Sequence, residues 1–140
     1  MEIDFDEISR TERYRFLTHV VVPRPMAWVT TLSDSAVVNA APFSFFNVFG
    51  SDPAFVGLGI GNRKDGSPKD TVLNIEKTGE FVINTVTESL ADRMVQTSYE
   101  YVPEENELEA VSLTSFPSVK VKPPRVLESP AHLECRKLSI

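Results

Sequence analysis

Apolar and polar positions alternate in short runs along most of this chain, a pattern typical of β-strands. The runs predict strands at 27–31, 37–39, 43–47, 55–60, 80–86 and 131–140, and a short strand at 119–121. Because strands dominate and only short helices separate them, the pattern predicts a small β-barrel rather than an α/β sheet.

Three short helices are predicted between these strands. The first follows Ser9-Arg10-Thr11-Glu12, which has the form of a capping box. The second begins where Asp70 or Thr71 caps it and ends at Gly79, in the usual C′ position. A third is predicted over 89–97.

The size and composition of the chain are those of a globular protein. Its 140 residues predict one domain over 1–140, with 41% hydrophobic and 24% charged residues. No apolar run is long enough to cross a bilayer, and the acidic amino terminus is unlike a signal peptide. The single cysteine, Cys135, excludes an internal disulfide and a multi-cysteine metal site. The expected compartment is the cytoplasm.

The charge balance argues against a nucleic-acid partner. Fourteen basic and twenty acidic residues give a net charge of −6, whereas a duplex-binding protein needs a strongly basic face. Part of the acid is concentrated in one segment, which is predicted to be a solvated loop: Glu100, Glu104, Glu105, Glu107 and Glu109.

Two adjacent strands carry polar interruptions that fit a flat aromatic ligand. The first ends in Thr30 and Thr31, and the second runs through an Asn-Ala-Ala-Pro-Phe-Ser segment at 39–44. Small residues there allow the backbone to approach a ring while hydroxyls meet its polar edge. The alternative interpretation is an ordinary antiparallel hairpin in a barrel core.

A second candidate site precedes the helix at 70–79. Arg63, Lys64 and Lys69 gather just before a helix start, where free N–H groups and a partial positive charge favour a phosphate group. The alternative is a solvated loop with ordinary surface lysines. Asp70 would repel an anion unless its carboxylate points away.

No acid, base or nucleophile stands out from the sequence. His19 and His132 have no second metal-ligand type at ligand spacing, so no metal is expected, and Cys135 lies in a predicted buried strand. Asn47 and Asn84 lie in otherwise apolar strands and need partners, either neighbouring backbone or a polar ligand. Four phenylalanines and the tryptophan are predicted to be core residues: Trp28, Phe43, Phe45, Phe46 and Phe49. The lack of an acid–base pair is informative if the chemistry belongs to a bound cofactor, because the protein then only has to orient and tune that cofactor.

The chain resembles the flavin reductase-like, FMN-binding split-barrel family, which includes flavoredoxins and the reductase components of two-component monooxygenases. The matching segments cover nearly the whole chain in the right order: 22–31, 39–47, 51–53, 69–71, 74–75, 78–84, 123–130 and 133–135. The resemblance implies a six-stranded antiparallel split barrel with short helices that binds FMN at a homodimer interface. It also implies that the barrel is left incomplete at the carboxyl end, because family members usually run on beyond the last matching strand.

The resemblance assigns roles to individual residues. Two groups should hold FMN: one lines the isoalloxazine ring and ribityl chain (Thr30, Thr31, Asn39, Ala41, Pro42, Phe43 and Ser44), and the other holds the phosphate (Arg63, Lys69, Asp70 and Thr71). The expected activity is hydride transfer from NADH or NADPH to FMN, with electrons leaving to free flavin or a partner monooxygenase. Two alternatives stay open: a flavoredoxin-like electron carrier without rapid nicotinamide turnover, and a cofactor-free split barrel with a structural role.

Overall fold

Eight strands and four α-helices lie along residues 2–139, the part of the chain that this computed structural model describes. The strands are β1 (Ala27–Leu32), β2 (Val38–Phe43), β3 (Phe46–Ser51), β4 (Ala54–Leu58), β5 (Glu80–Asn84), β6 (Ser115–Phe116), β7 (Arg125–Val126) and β8 (His132–Arg136). The helices are α1 (Arg10–Val20), α2 (Asp70–Thr78), α3 (Ala91–Gln96) and α4 (Glu107–Ala110), with a 3-10 turn at Glu88–Leu90 leading into α3.

The strands form three separate antiparallel sheets. The largest has the order β2-β1-β5-β8, while β3 pairs with β4 and β6 pairs with β7. The fold is therefore mainly β with short helices, as predicted, but within residues 2–139 the strands lie in three separate sheets and not in one six-stranded barrel. The chain leaves the main sheet after Phe43, so the β3–β4 hairpin makes its own ribbon, and β8 is left as an edge strand.

The predicted strand at 119–121 is wrong, for a reason visible in its hydrogen bonds. The N–H groups of Val119 and Lys120 donate to the Glu134 carboxylate, at 2.9 and 2.5 Å. Lys122 N donates to Glu80 at 2.9 Å. Because carboxylates on β5 and β8 take these N–H groups, the segment has no ladder to join, and β6 and β7 lie on either side of it.

The helix-capping predictions are confirmed in part. The capping box before α1 is formed, with Glu12 N donating to Ser9 Oγ and Ser9 N donating to Glu12 Oε2. Gly79 ends α2 in the left-handed region, at φ 71°, where glycine has no Cβ penalty. The predicted amino-terminal cap is wrong, because Lys69 is the N-cap residue and no side chain caps this end of α2.

Two apolar clusters cover the two faces of the main sheet. Trp28 is fully buried on one face and packs near α3, α4 and β7, while Val29 lies in the cluster on the other face with α2. Both faces of β5 are covered. Phe45 and Phe49 are exposed, which corrects their assignment to the core: the β3–β4 ribbon lies outside the main sheet.

A large open groove lies between the β3–β4 hairpin, α2 and the β8 edge. Its volume is about 1210 Å³, and its walls include Phe55, Val72, Phe81 and Leu133. The predicted strand 131–140 is shorter in the structure, ending at Arg136, and Ile140 lies outside the described residues. Across residues 2–139, the helices are too short or too polar to cross a membrane.

Candidate functional site

Strand β2 and the start of α2 bring the two predicted groups of site residues together. β2 is an edge strand of the main sheet and carries Asn39 to Phe43. The Thr71 hydroxyl on α2 donates to Asn39 Oδ1 at 3.0 Å. At the end of β2, Phe43 lies next to Lys69: the centre of its ring is 5.4 Å from the Lys69 ammonium. Residues of β2 and α2 that are distant in sequence are therefore brought into contact.

Asn39 is the centre of a closed polar network. Its Oδ1 accepts hydrogen bonds from Thr31 and Thr71, and its Nδ2 donates to Glu107. Asn74 Nδ2 donates to the Thr31 hydroxyl at 3.0 Å. The network ties β1, β2, α2 and α4 together, and every side-chain donor and acceptor named here has a partner inside the protein.

Glu107 is a buried carboxylate in the candidate site that the sequence analysis did not predict. The prediction placed it in a solvated acidic loop, but it begins α4 and is only 6% exposed. Its carboxylate accepts from the Ala40 N–H at 3.0 Å and from Asn39. Burial raises the pKa of Glu107, against the opposing effect of these hydrogen bonds. The spacing of the apolar Leu108, Val111 and Leu113 after it was the available signal.

Thr30 and Thr31 are fully buried, and their hydroxyls are bonded within the protein. Thr30 Oγ1 donates to the Pro124 carbonyl and accepts from Asn84 Nδ2. Thr31 Oγ1 is held between Asn39 and Asn74. Thr31 therefore supports Asn39 of strand β2, whereas Thr30 ties β1 to β5 and to the segment before β7.

The two strand asparagines have different environments. Asn84 is fully buried; its Nδ2 donates to the Trp28 carbonyl, and its Oδ1 accepts from Val126 N at 2.9 Å. Neighbouring protein groups thus satisfy this amide. Asn47 is exposed and accepts a hydrogen bond from the next N–H of its own strand. His132 Nδ1 lies 3.0 Å from Asn84 Oδ1, and burial lowers the pKa of His132, with a smaller contribution from Arg125.

Cys135 has the properties of an unreactive thiol. It lies on β8 with a partly buried side chain. Burial raises the pKa of Cys135 from 9.0 to about 11, so little thiolate exists near neutral pH. This agrees with the expectation that nucleophilic catalysis is not its role.

The outer rim of the site consists of the end of β2 and the turn after it. Ala41, Pro42 and Ser44 are partly exposed, whereas the Phe43 side chain points into the core. The Ser44 hydroxyl accepts a hydrogen bond from Arg24 Nε at 3.3 Å. This rim, unlike the network around Asn39, has polar groups that face outward.

Charged groups next to the rim are unevenly paired. Arg63 forms an ion pair with Asp70 at 2.5 Å and donates to the Pro68 carbonyl. The Asp70 charge is thereby compensated, which removes the repulsion expected at the helix start. Among residues 2–139, Lys69 forms no ion pair with a carboxylate. The uncapped start of α2 and the Lys69 ammonium therefore remain available to an anion.

A family model described as a flavin reductase like domain matches residues 19–140. The chain belongs to the flavin reductase-like family. A relative in Halalkalibacterium halodurans, an uncharacterized protein, is 45% identical over 136 residues, which are 97% of this chain and 65% of the relative. The chain thus spans about 65% of the length of that relative.

Two solved structures place the fold within the same family. Nitrilotriacetate monooxygenase component B from Bacillus cereus is 33% identical, with a TM-score of 0.91 over 97% of this chain and 67% of the other. A split-barrel protein from Shewanella frigidimarina is 24% identical, with a TM-score of 0.80 over 97% of this chain and 68% of the other. The fold of the chain is accordingly that of the flavin reductase-like split barrel.

Proposed function

We propose that this chain is a flavin-dependent oxidoreductase that binds FMN beside strand β2 and receives reducing equivalents from NADH or NADPH. One observation carries the proposal beyond family membership. An uncapped helix start adjoins a small-residue strand edge, and its cation, Lys69, forms no ion pair with a carboxylate of residues 2–139. These are the two features that a phosphate joined to a flat ring requires.

The residues at the start of α2 fit a phosphate group. Lys69 would supply a positive charge, and the backbone N–H groups of Asp70 and Thr71 lie in the first turn, where no side chain caps the helix. Because Arg63 neutralises Asp70, the net field at this end is positive. Arg63 would contribute through this ion pair, and Thr71 through its N–H, since its hydroxyl is bonded to Asn39.

The end of β2 fits the ring of the flavin. Ala41 and Pro42 are small and partly exposed, so the backbone of this strand end can approach a flat ring, and Ser44 offers a hydroxyl and an N–H at its polar edge. Thr31 would act through Asn39, by holding β2 in place, and Thr30 would act through its bonds to Asn84 and the Pro124 carbonyl, which anchor β1. When bound, FMN supplies the redox chemistry, accepting a hydride from a nicotinamide and passing electrons onward. The protein would bind, orient and shield it.

The visible absorption spectrum tests the flavin assignment. Purified protein mixed with FMN and then desalted is expected to keep the flavin bands, and a colourless product would contradict the proposal. Anaerobic stopped-flow mixing with NADH, and separately with NADPH, then tests the activity. Rapid bleaching supports a reductase, whereas a yellow protein that bleaches only with dithionite would favour the electron-carrier alternative.

We further propose that the chain works in the cytoplasm as a homodimer and delivers electrons to free flavin or a partner monooxygenase. The open groove supports the homodimer, in which a second copy of the chain would cover it, because Phe55 and Leu133 in its walls are 41% and 44% exposed. Large exposed apolar surfaces of this kind are typical of association sites. Sedimentation analysis of the wild type and of Leu133→Asp tests the dimer, which the variant should weaken; a wild-type monomer would contradict it.

A further inference from the structure

Arg24 connects helix α1 to the turn that follows strand β2. Its Nη1 donates to the carbonyls of Thr18 and Val21, at 2.8 and 2.6 Å. Its Nε donates to Ser44 Oγ at 3.3 Å, and its guanidinium lies 6.0 Å from the centre of the Phe45 ring. One planar side chain thus spans the carboxyl end of a helix and the rim of the candidate site.

The environment of Arg24 is unusual for an arginine. Within residues 2–139 it forms no ion pair with a carboxylate, although its side chain is partly buried. The carbonyls at the end of α1 are groups that the helix itself leaves without partners, and they carry the negative end of its dipole. The helix end therefore stabilises the guanidinium charge and fixes its plane.

The direction of the hydrogen bond to Ser44 follows from this arrangement. A guanidinium carries only donors, so the Ser44 oxygen must accept, and the hydroxyl proton is then directed elsewhere. Within the part of the chain that the structure describes, that proton has no acceptor. The Ser44 hydroxyl is consequently available to donate to a group at the edge of the proposed ring site.

We propose that Arg24 is a positioning residue that holds the Ser44 hydroxyl as a hydrogen-bond donor to an acceptor atom on the polar edge of bound flavin. The inference rests on the proposed function. Arg24 would act through Ser44 and would not touch the flavin itself. Its effect on binding should therefore depend on whether the Ser44 hydroxyl is present.

A double-mutant cycle measures this dependence. FMN affinity, from quenching of flavin fluorescence, and the position of the bound-flavin absorption bands are compared for the wild type, Arg24→Met, Ser44→Ala and the double variant. Each single variant is expected to weaken binding on the order of tenfold and to shift the bands in the same direction. The double variant should be no weaker than Ser44→Ala alone, since the arginine has nothing left to orient.

Two further variants keep the result interpretable. Arg13→Met removes another α1 arginine that donates to a backbone carbonyl, that of Phe5, and it should change neither readout. Arg24→Lys keeps the charge but cannot donate in two directions from one plane, so it should fail to restore the bands. It replaces Arg24→Met in the cycle if thermal melting shows that the methionine variant does not fold.

The possible outcomes separate the two proposals. A wild-type chain that binds no FMN overturns the proposed function and this inference together. A wild-type chain that binds FMN, with losses that multiply in the double variant, overturns the role of Arg24 alone. Restoration of the bands by Arg24→Lys would do the same, because charge without geometry would then suffice.

Discussion

Two polar regions flank strand β2, and they differ in where their hydrogen bonds go. The region beneath the strand is closed: Asn39, Glu107 and Thr31 satisfy one another and the Ala40 N–H inside the protein. The region at its end is open, because Lys69 and the Ser44 hydroxyl proton have no carboxylate or acceptor partner among residues 2–139. Both regions contain the residue types expected of a binding site.

The comparison shows that polarity alone does not identify a ligand site. Buried polar groups must find partners, and a group whose partners are all protein atoms is explained by the fold. A donor that lies at a rim without a partner is explained only by solvent or a ligand. The closed region should therefore respond to mutation by losing stability, and the open region by losing affinity.

The largest effect is expected from removing the buried amide of Asn84, which lies outside the candidate site and is hydrogen-bonded within the protein. Asn84→Ala removes the partner of the Val126 N–H and of the Trp28 carbonyl, both buried. We expect a loss of about 2–4 kcal/mol in the free energy of unfolding, measured by urea denaturation. Asn47→Ala, at the exposed asparagine of β3, is the matched control and should change stability by less than about 0.5 kcal/mol. Equal losses at both positions would contradict the structural role of Asn84.

The next effect concerns the open region. Lys69→Ala should weaken FMN binding by about 1–3 kcal/mol, the scale of a charge-assisted hydrogen bond, and leave riboflavin binding unchanged. Titration with both flavins isolates the contribution of the phosphate to the binding affinity, because riboflavin lacks that group. Lys64→Ala, at an exposed lysine of the same loop, is the control. Unchanged FMN affinity in the Lys69 variant would remove the phosphate from this helix start.

A smaller effect is expected at Thr71, which lies in the first turn of α2 and tests where the closed region ends and the open region begins. Thr71→Val replaces a buried hydroxyl that donates to Asn39, so we expect a stability loss of about 1 kcal/mol. FMN affinity should hold, since the Thr71 N–H is retained. If affinity fell while stability stayed constant, the Thr71 hydroxyl would belong to the open region.

The smallest expected effect is a pH dependence of the closed region. Because the folded-state pKa of Glu107 is raised above its ordinary value of 4.5, the folded protein binds this proton more tightly than the unfolded chain. The contribution of Glu107 to stability should therefore fall as pH rises from about 4.5 through the raised value. Glu107→Gln removes this titration.

Urea denaturation at a series of pH values checks the sign. The stability of the wild type minus that of Glu107→Gln should decrease with rising pH over this window. Glu104→Gln, at an exposed position of the same acidic segment, provides the comparison series. A difference that increases with pH would mean that the hydrogen bonds from Ala40 and Asn39 outweigh burial.

Local sequence patterns predicted several local features of the fold, although not the amino-terminal cap of α2. The capping box at Ser9, the glycine that ends α2 and the apolar run of β1 each depend on neighbouring residues, and each is found as predicted. The strand predicted at 119–121 failed because its N–H groups bond to carboxylates of β5 and β8, which are distant in sequence. Short-range patterns contain no information about such partners.

The sequence by itself indicated a mainly β fold through its periodicity and the family through its resemblance in motif order, and it supplied the residue types of the candidate site. Only the tertiary structure decided which of those residues are hydrogen-bonded within the protein and which have polar groups left for solvent or a ligand. From the sequence alone, Glu107 is one more acidic residue of a solvated loop. In the structure α4 packs against β2, and the Glu107 carboxylate accepts a hydrogen bond from the Ala40 N–H. A polar side chain becomes structural or available through partners that folding brings from elsewhere in the chain, and that pairing is a property of three-dimensional packing.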